Sequence, residues 1–198
     1  TLRGTPPQGR SPDFEIDTTE HVYDRFQHDP NTASLMWSGP EDLSARLWLE
    51  RQAGGLLVQV EVTDEQTRAG FDIAELDRGD SIELALAAKD GTPLLLVAAE
   101  GTGGAAQVAR RTPGGLERAA GVETTITREG STTRYRLTVP WSMLGLQAPP
   151  AFLNLDLRVN DMDQPQAEAD QWESRLSLVP WADDSPAGQA MQAIAFPQ

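Results

Sequence analysis

The chain has 198 residues and a formal net charge of −14 at pH 7, with 30 acidic residues against 16 lysines and arginines. Because like charges repel, this charge disfavours binding to nucleic acid and to anionic membranes, whereas neutral ligands and cations are compatible with it. The absence of cysteine excludes disulfides, thiolate zinc sites and cysteine nucleophiles. No apolar run approaches the roughly 18 residues that a membrane-spanning helix needs.

The N-terminal residues differ in composition from the rest of the chain. Residues 1–12 are rich in Pro, Gly and polar side chains, which predicts a flexible arm or linker. Residues 13–198 are predicted to form a single domain, whose first part, up to Met36, is expected to be irregular with a short helical turn. The chain starts with Thr1 rather than an initiator methionine, which suggests a processed or excised piece of a longer, exported protein.

From residue 44 onward, apolar and polar residues alternate with the period of half-buried β-strands. Residues 44–50 and 56–62 flank a glycine turn, and residues 122–127 and 133–139 flank a second turn, so two hairpins are predicted. Further strands are predicted at residues 81–86, 94–99, 153–160 and 190–196, with one helical turn at residues 140–144. Many short strands separated by turns indicate an all-β fold, either a sandwich or a barrel.

The strand that begins at Leu153 ends in an acidic turn, and two tryptophans follow it. Trp172 and Trp181 lie among Asp, Glu, Gln and Pro, without apolar periodicity. Indole rings cover the apolar C–H faces of sugars, and carboxylates accept hydrogen bonds from hydroxyl groups. The pattern therefore favours a sugar site, although packing of both rings beneath a loop explains it equally well.

Carboxylates stand at the ends of several predicted strands. Asp64, Asp80 and Asp163 are predicted as ligands of a calcium ion, which prefers hard oxygen ligands. The same positions also fit solvated turn residues or partners of nearby arginines. Carboxylates such as Glu83 could alternatively form the acid/base pair of a glycosidase, which requires separations of roughly 5 to 9.5 Å.

Three other features of the sequence resemble known functional motifs but are better explained without a functional role. Gly101–Ala106 imitates a dinucleotide-binding loop, but no α/β alternation surrounds it, so a hairpin loop is expected. The Arg-Gly-Asp tripeptide at residues 78–80 is expected to be a turn before a strand. His21 and His28, the two histidines of the chain, have neither metal-ligand spacing nor a nucleophile motif beside them.

Six short motifs, in this order along the chain, resemble family 9 carbohydrate-binding modules and their DOMON-like relatives. The motifs are Trp37–Ala45, Val60–Asp64, Arg78–Glu83, Val139–Leu144, Val159–Asp163 and Trp181–Asp183. The resemblance implies a two-sheet antiparallel β-sandwich of the jelly-roll or immunoglobulin-like kind, with structural calcium and sugar binding.

The resemblance also implies roles for particular residues. By position, Glu83 matches the acidic residue that binds sugar hydroxyls, and Trp181 matches the later of two stacking tryptophans. The earlier tryptophan falls where this chain has Leu76 and Asp77, so Trp172 is the candidate for a second platform. Asp161 and Arg78, from two of the matched motifs, complete the predicted sugar site.

The sequence thus predicts a non-catalytic carbohydrate-binding module within a larger secreted protein, extracellular or periplasmic. Its expected partners are an oligosaccharide or polysaccharide and the other domains of the parent chain. Three alternatives stay open: a structural or docking module, an enzyme with a carboxylate pair, and a haem-binding DOMON-type electron-transfer domain. Candidate axial ligands for haem are His21, Met36, Met143, Met162 and Met191.

Overall fold

The computed structural model describes residues 9–22, 37–88, 91–162, 174–179 and 191–196. Over these ranges the chain forms short 3-10 turns and antiparallel β-strands, and none of its helices is long and apolar enough to cross a membrane. The strands are β1 (Phe14–Ile16), β2 (Leu43–Arg51), β3 (Gly55–Asp64), β4 (Ser81–Ala87), β5 (Leu94–Glu100), β6 (Ala106–Thr112), β7 (Gly115–Arg118), β8 (Glu123–Glu129), β9 (Thr132–Pro140), β10 (Phe152–Asp161), β11 (Ser174–Ser177) and β12 (Gln192–Ala195).

The strands form two sheets that pack face to face. The first sheet has the order β1-β2-β3-β9-β8, and the second has the order β11-β10-β4-β5-β6-β7, with β12 paired to the other half of the β10 edge. Their inner faces share one core of leucines, valines and isoleucines. This arrangement is an antiparallel β-sandwich, so the predicted all-β, two-sheet fold is confirmed.

The period-two pattern of the sequence sets which residues enter the core. Along β10, Leu153, Leu155, Leu157 and Val159 are buried between the sheets, and β3 and β4 contribute valines and leucines in the same alternating manner. Both predicted hairpins form, since β2 pairs with β3 and β8 pairs with β9. Four further strands, β1, β6, β7 and β11, show no clear alternation, and the sequence pattern does not predict them.

Three tryptophans are structural parts of the sandwich. Trp37, Trp48 and Trp141 are all buried, and each indole N–H donates to a main-chain carbonyl oxygen, at 2.7, 3.1 and 2.9 Å. The acceptor for Trp48 is Arg10, which also donates from Nη2 to the Leu49 carbonyl. Residues 9–12 of the predicted arm therefore include a contact that covers the Trp48 ring.

Replacing Gly55 with Ala should destabilise the domain. A Cβ at Gly55, the first residue of β3, would lie 2.4 Å from the main-chain oxygen of Val139 on β9, so the two strands would have to separate. Overpacking of this kind costs about 1–3 kcal/mol. Gly54→Ala is the matched control, since its Cβ would meet no atom within 4 Å. Urea unfolding should show the loss for Gly55→Ala alone, and equal unfolding midpoints for the two variants would contradict the predicted strand contact.

Candidate functional site

Three aspartates meet at one end of the sandwich. Asp64 ends β3, Asp80 precedes β4 and Asp161 ends β10, and one carboxylate oxygen from each lies within 4.8 Å of the others. Each continues the inward-facing series of its strand, after Val62, before Ile82 and after Val159. The pleat therefore directs all three carboxylates between the sheets, where they are buried.

Main-chain donors hold two of the three carboxylates in place. Asp64 Oδ1 accepts from the Gln66 amide at 2.8 Å, and Asp80 Oδ1 accepts from the Met162 amide at 3.0 Å. The other oxygen of Asp80 accepts from the amide of Arg68. The contact with Met162 joins the start of β4 to the end of β10, so the carboxylates belong to a connected set of strand ends rather than to free loops.

The electrostatics of this cluster favour a bound cation. Arg128 lies 3.7 Å from Asp64 Oδ2 and contributes one positive charge beside the three carboxylates. Burial, with Asp80 and Asp64 nearby, raises the pKa of the Tyr135 phenol above its ordinary value. Buried carboxylates are costly unless they are paired or coordinate a metal. Three buried aspartate oxygens that converge from three strand ends fit a divalent cation with hard-oxygen preference.

A second polar cluster lies on the outer face of the second sheet, and its Asn160 directly precedes Asp161 of the first cluster. At its centre, Glu83 Oε1 accepts from Arg111 Nη2 at 3.2 Å and from Asn160 Nδ2 at 3.3 Å, and it lies 3.1 Å from Arg175 Nη2. Arg175 Nε also donates to Asn160 Oδ1 at 2.6 Å. Among the described residues, Glu83 Oε2 makes no hydrogen bond, and 15% of the side chain is exposed. One oxygen is thus fixed while the other stays available.

Asp77 forms the accessible rim of this cluster. Its Oδ2 accepts from Arg111 Nη2 at 2.8 Å, and the two side chains are 23% and 32% exposed. Burial by itself lowers the pKa of Arg111, but the carboxylates of Glu83 and Asp77 outweigh it and the pKa is raised. Leu76 points the other way, into a small apolar cluster with Val97 and other neighbours. Where the motif resemblance predicts a tryptophan, the chain therefore has a buried leucine and an ion-paired aspartate.

Asp156 lies on the same outer face but is not accessible. Its carboxylate accepts from Arg158 Nε at 3.1 Å, Val179 N at 3.2 Å and Ser177 Oγ at 3.3 Å, and only 3% of the residue is exposed. Burial raises its pKa despite these donors. The segment at residues 174–179 therefore covers this part of the face, and the accessible polar groups lie around Glu83.

The structure places the predicted site residues in different surroundings. Glu83 is in the outer cluster, whereas Asp161 is 2% exposed and lies with Asp64 and Asp80. Arg78 forms a surface ion pair with Glu75. The remaining predicted residues, Trp172, Trp181 and Asp163, are outside the described residues.

The sequence interpretation did not include Arg111 or Arg175, two of the partners of Glu83. They lie on β6 and β11, two of the strands that the alternation did not predict. A signal for Asp161 as a cluster member does exist in the sequence, because it continues the inward series at positions 155, 157 and 159.

Comparisons with known proteins find similarity in structure but no match in sequence. Neither protein-family models nor curated proteins yield a match to the sequence. A family 9 carbohydrate-binding module from Caldicellulosiruptor kristjanssonii, solved in complex with glucose, matches with a TM-score of 0.54 and 13% identity over 77% of this chain and 76% of that one. A candidate carbohydrate-binding protein from Bacteroides uniformis matches with a TM-score of 0.53 and 11% identity over 78% of each chain.

At such low identity the likeness establishes the fold, while the roles of individual side chains depend on the geometry described above. The sequence motifs and the structural matches nevertheless agree on one architecture. The chain has the two-sheet β-sandwich fold of family 9 carbohydrate-binding modules, as its ordered motifs predict.

Proposed function

We propose that this domain is a non-catalytic module that binds a neutral oligosaccharide at the outer cluster around Glu83. The observation that supports this most strongly is the position of the Glu83 carboxylate. Three donors hold Oε1, whereas Oε2 has no hydrogen bond within the described residues and part of the side chain is accessible. A carboxylate fixed in this way can accept a hydrogen bond from a sugar hydroxyl without having to be reoriented first.

The neighbours of Glu83 supply complementary chemistry. Arg111 donates through a guanidinium group, and Asp77 offers a carboxylate beside it. Vicinal hydroxyl groups both donate and accept, so a rim that alternates carboxylate and guanidinium suits them. Because Glu83 and Asp77 both bind the same arginine, the arrangement orients a ligand rather than transferring a proton. We further propose that Trp181 stacks on the sugar ring and that Trp172 provides a second platform.

Calcium is the proposed occupant of the aspartate cluster, and it would be held by Asp64, Asp80 and Asp161. Bound there, the ion supplies charge neutralisation and joins the strand ends next to Ser81 and Asn160, which contact each other at 3.0 Å. Asp163 stays a predicted further ligand, and Arg78 a predicted contact at the edge of the sugar site. Asp161 has too little exposed surface to meet a sugar directly.

The single domain at residues 13–198 is proposed to belong to a larger secreted protein, a view that depends on the motif resemblance and on the fold. In such a protein the module would keep its parent near a glycan. Its partners would then be a polysaccharide and the neighbouring domains of the same polypeptide.

Isothermal titration against soluble neutral oligosaccharides tests the proposed function. We expect measurable heat with at least one of them, and a loss of affinity of about tenfold or more in Trp181→Ala, because stacking aromatics contribute strongly to ligand binding. Trp181→Phe should retain part of the affinity, since an aromatic face remains. The absence of heat with every oligosaccharide would contradict the proposed function. An affinity that is unchanged in Trp181→Ala would contradict the proposed stacking role of Trp181.

A further inference from the structure

The outer face of the first sheet carries a regular array of polar side chains. Strand pairing places residues of β2, β3, β9 and β8 directly beside one another in rows across the sheet. One row consists of Arg46, Glu61, Arg134 and Thr127, and the next of Trp48, Gln59, Arg136 and Thr125. These positions alternate with residues such as Val60 and Tyr135, which face the core, so the rows point away from it.

A shallow, open groove runs along these two rows. Its lining includes Trp48, Gln59, Glu61, Thr125, Arg134 and Arg136. Trp48 lies at one side of the groove, but its ring is buried and its indole N–H donates to the Arg10 carbonyl, so it presents little surface there. The exposed threonines of β8 form the opposite side. The groove encloses little space, so a ligand would lie along the face of the sheet rather than inside a cavity.

The two arginines of the groove differ in their partners. Arg134 Nε lies 3.7 Å from Glu61 Oε2, and its Nη1 lies 3.2 Å from Glu129 Oε2, so two carboxylates surround it. Within the described part of the chain, no carboxylate pairs with Arg136, which is half-buried beside Gln59. In a protein of net charge −14, this guanidinium is a local site for an anion that the molecule as a whole repels.

The other side chains of the groove restrict the kind of anion that could bind to Arg136. Glu61 can accept from a hydroxyl group but would repel a ligand that carries only negative charge, and Gln59 can both donate and accept. The exposed threonine hydroxyls suit a ligand that carries hydroxyl groups of its own. We propose that this groove is a second binding site, distinct from the Glu83 cluster, for an acidic saccharide whose uronate carboxylate binds Arg136.

Titration of the domain at low ionic strength with trigalacturonate and with triglucuronate tests this proposal. The matched neutral probes are the carboxyl-reduced forms of the same trisaccharides, and a triglutamate peptide tests for a ligand without hydroxyl groups. We expect at least one uronate to bind, and its affinity to fall by at least about tenfold in Arg136→Gln, because a charge-assisted hydrogen bond is lost. Added salt should also weaken the binding.

Three further variants locate the site. Thr125→Glu places a carboxylate directly opposite Arg136, where it should pair with the guanidinium and weaken uronate binding to a similar degree. Arg46→Gln is the matched control, since Arg46 lies on the same sheet face but outside the groove lining. Glu83→Gln should leave uronate binding unchanged, which separates this proposal from the function proposed above.

Several results would overturn the proposal. One is the absence of heat with either uronate, and another is an equal affinity for the carboxyl-reduced probes or for triglutamate. A third is an equal loss of uronate affinity in Arg46→Gln, which would indicate diffuse charge attraction. Loss of uronate binding in Glu83→Gln would place the ligand at the other sheet instead. Circular dichroism of each variant shows whether the fold is kept, and Thr125→Glu preserves the test if Arg136→Gln does not fold.

Discussion

Calcium is expected to raise the melting temperature of this domain by about 5–10 °C when its free concentration is a hundred times the dissociation constant. At that ratio a ligand specific for the folded state stabilises it by about 2.7 kcal/mol. For a domain of this size, each kcal/mol shifts the melting temperature by about 2–4 °C. The physical reason is the convergence of Asp64, Asp80 and Asp161, three buried carboxylates whose mutual repulsion a divalent cation would reduce.

Asp161→Asn provides the decisive variant for the calcium prediction. The substitution keeps the size of the side chain but removes one of the three carboxylates, so the calcium-dependent rise should disappear. Without calcium, the variant should be at least as stable as the wild type, because it relieves repulsion within the cluster. Glu65→Gln is the control, since Glu65 follows Asp64 directly but is exposed and should leave the calcium response intact. Differential scanning calorimetry in calcium and in chelator would measure both effects, and identical wild-type melting curves would count against a metal site.

Glu83→Gln and Arg111→Gln are expected to separate sugar affinity from stability. Glu83 contacts the guanidinium of Arg175, whose side chain is only 4% exposed, so Glu83→Gln should lower the free energy of unfolding by about 1–3 kcal/mol as well as abolish sugar binding. Arg111 is 32% exposed. Its loss should weaken sugar binding by about tenfold or more, yet change stability by less than about 1 kcal/mol.

Arg110→Gln is the matched control for these two variants. Arg110 is adjacent to Arg111 on β6, but its side chain pairs with Glu117 at the surface and takes no part in the Glu83 cluster. Urea unfolding and isothermal titration should show that Glu83→Gln loses both stability and sugar affinity, that Arg111→Gln loses affinity alone, and that Arg110→Gln loses neither. If Arg111→Gln bound the sugar as well as the wild type does, the ligand would not lie against this face of the sheet.

The alternation of apolar and polar residues was sufficient to predict the long strands and their core faces. Along β10, every second residue from Leu153 to Val159 is buried between the sheets, as the pattern indicates. Asp64 and Asp80 were also predicted together as metal ligands, because both stand at ends of strands with clear alternation. Asp161 follows the same parity, so extending the inward series of β10 by one step would have assigned it to this cluster.

The partners of Glu83 could not be derived in this way. Arg111 follows Glu83 by 28 residues and lies on β6, so their contact depends on β4, β5 and β6 being neighbours in one sheet. Arg175 comes from a four-residue strand that pairs with the edge of β10. Local patterns give the face on which a residue lies, whereas sheet order and register depend on long-range pairing.

An NMR titration of the isotopically labelled domain with the neutral oligosaccharide that gives the largest heat would show which face of the sandwich binds the sugar. We expect the amide signals of Asp77, Glu83 and Arg111 to shift in a saturable manner, while those of Gln59 and Arg136 on the opposite sheet stay in place. Shifts confined to that opposite sheet, or no shifts at saturating sugar, would contradict the assignment of the Glu83 cluster as the sugar site.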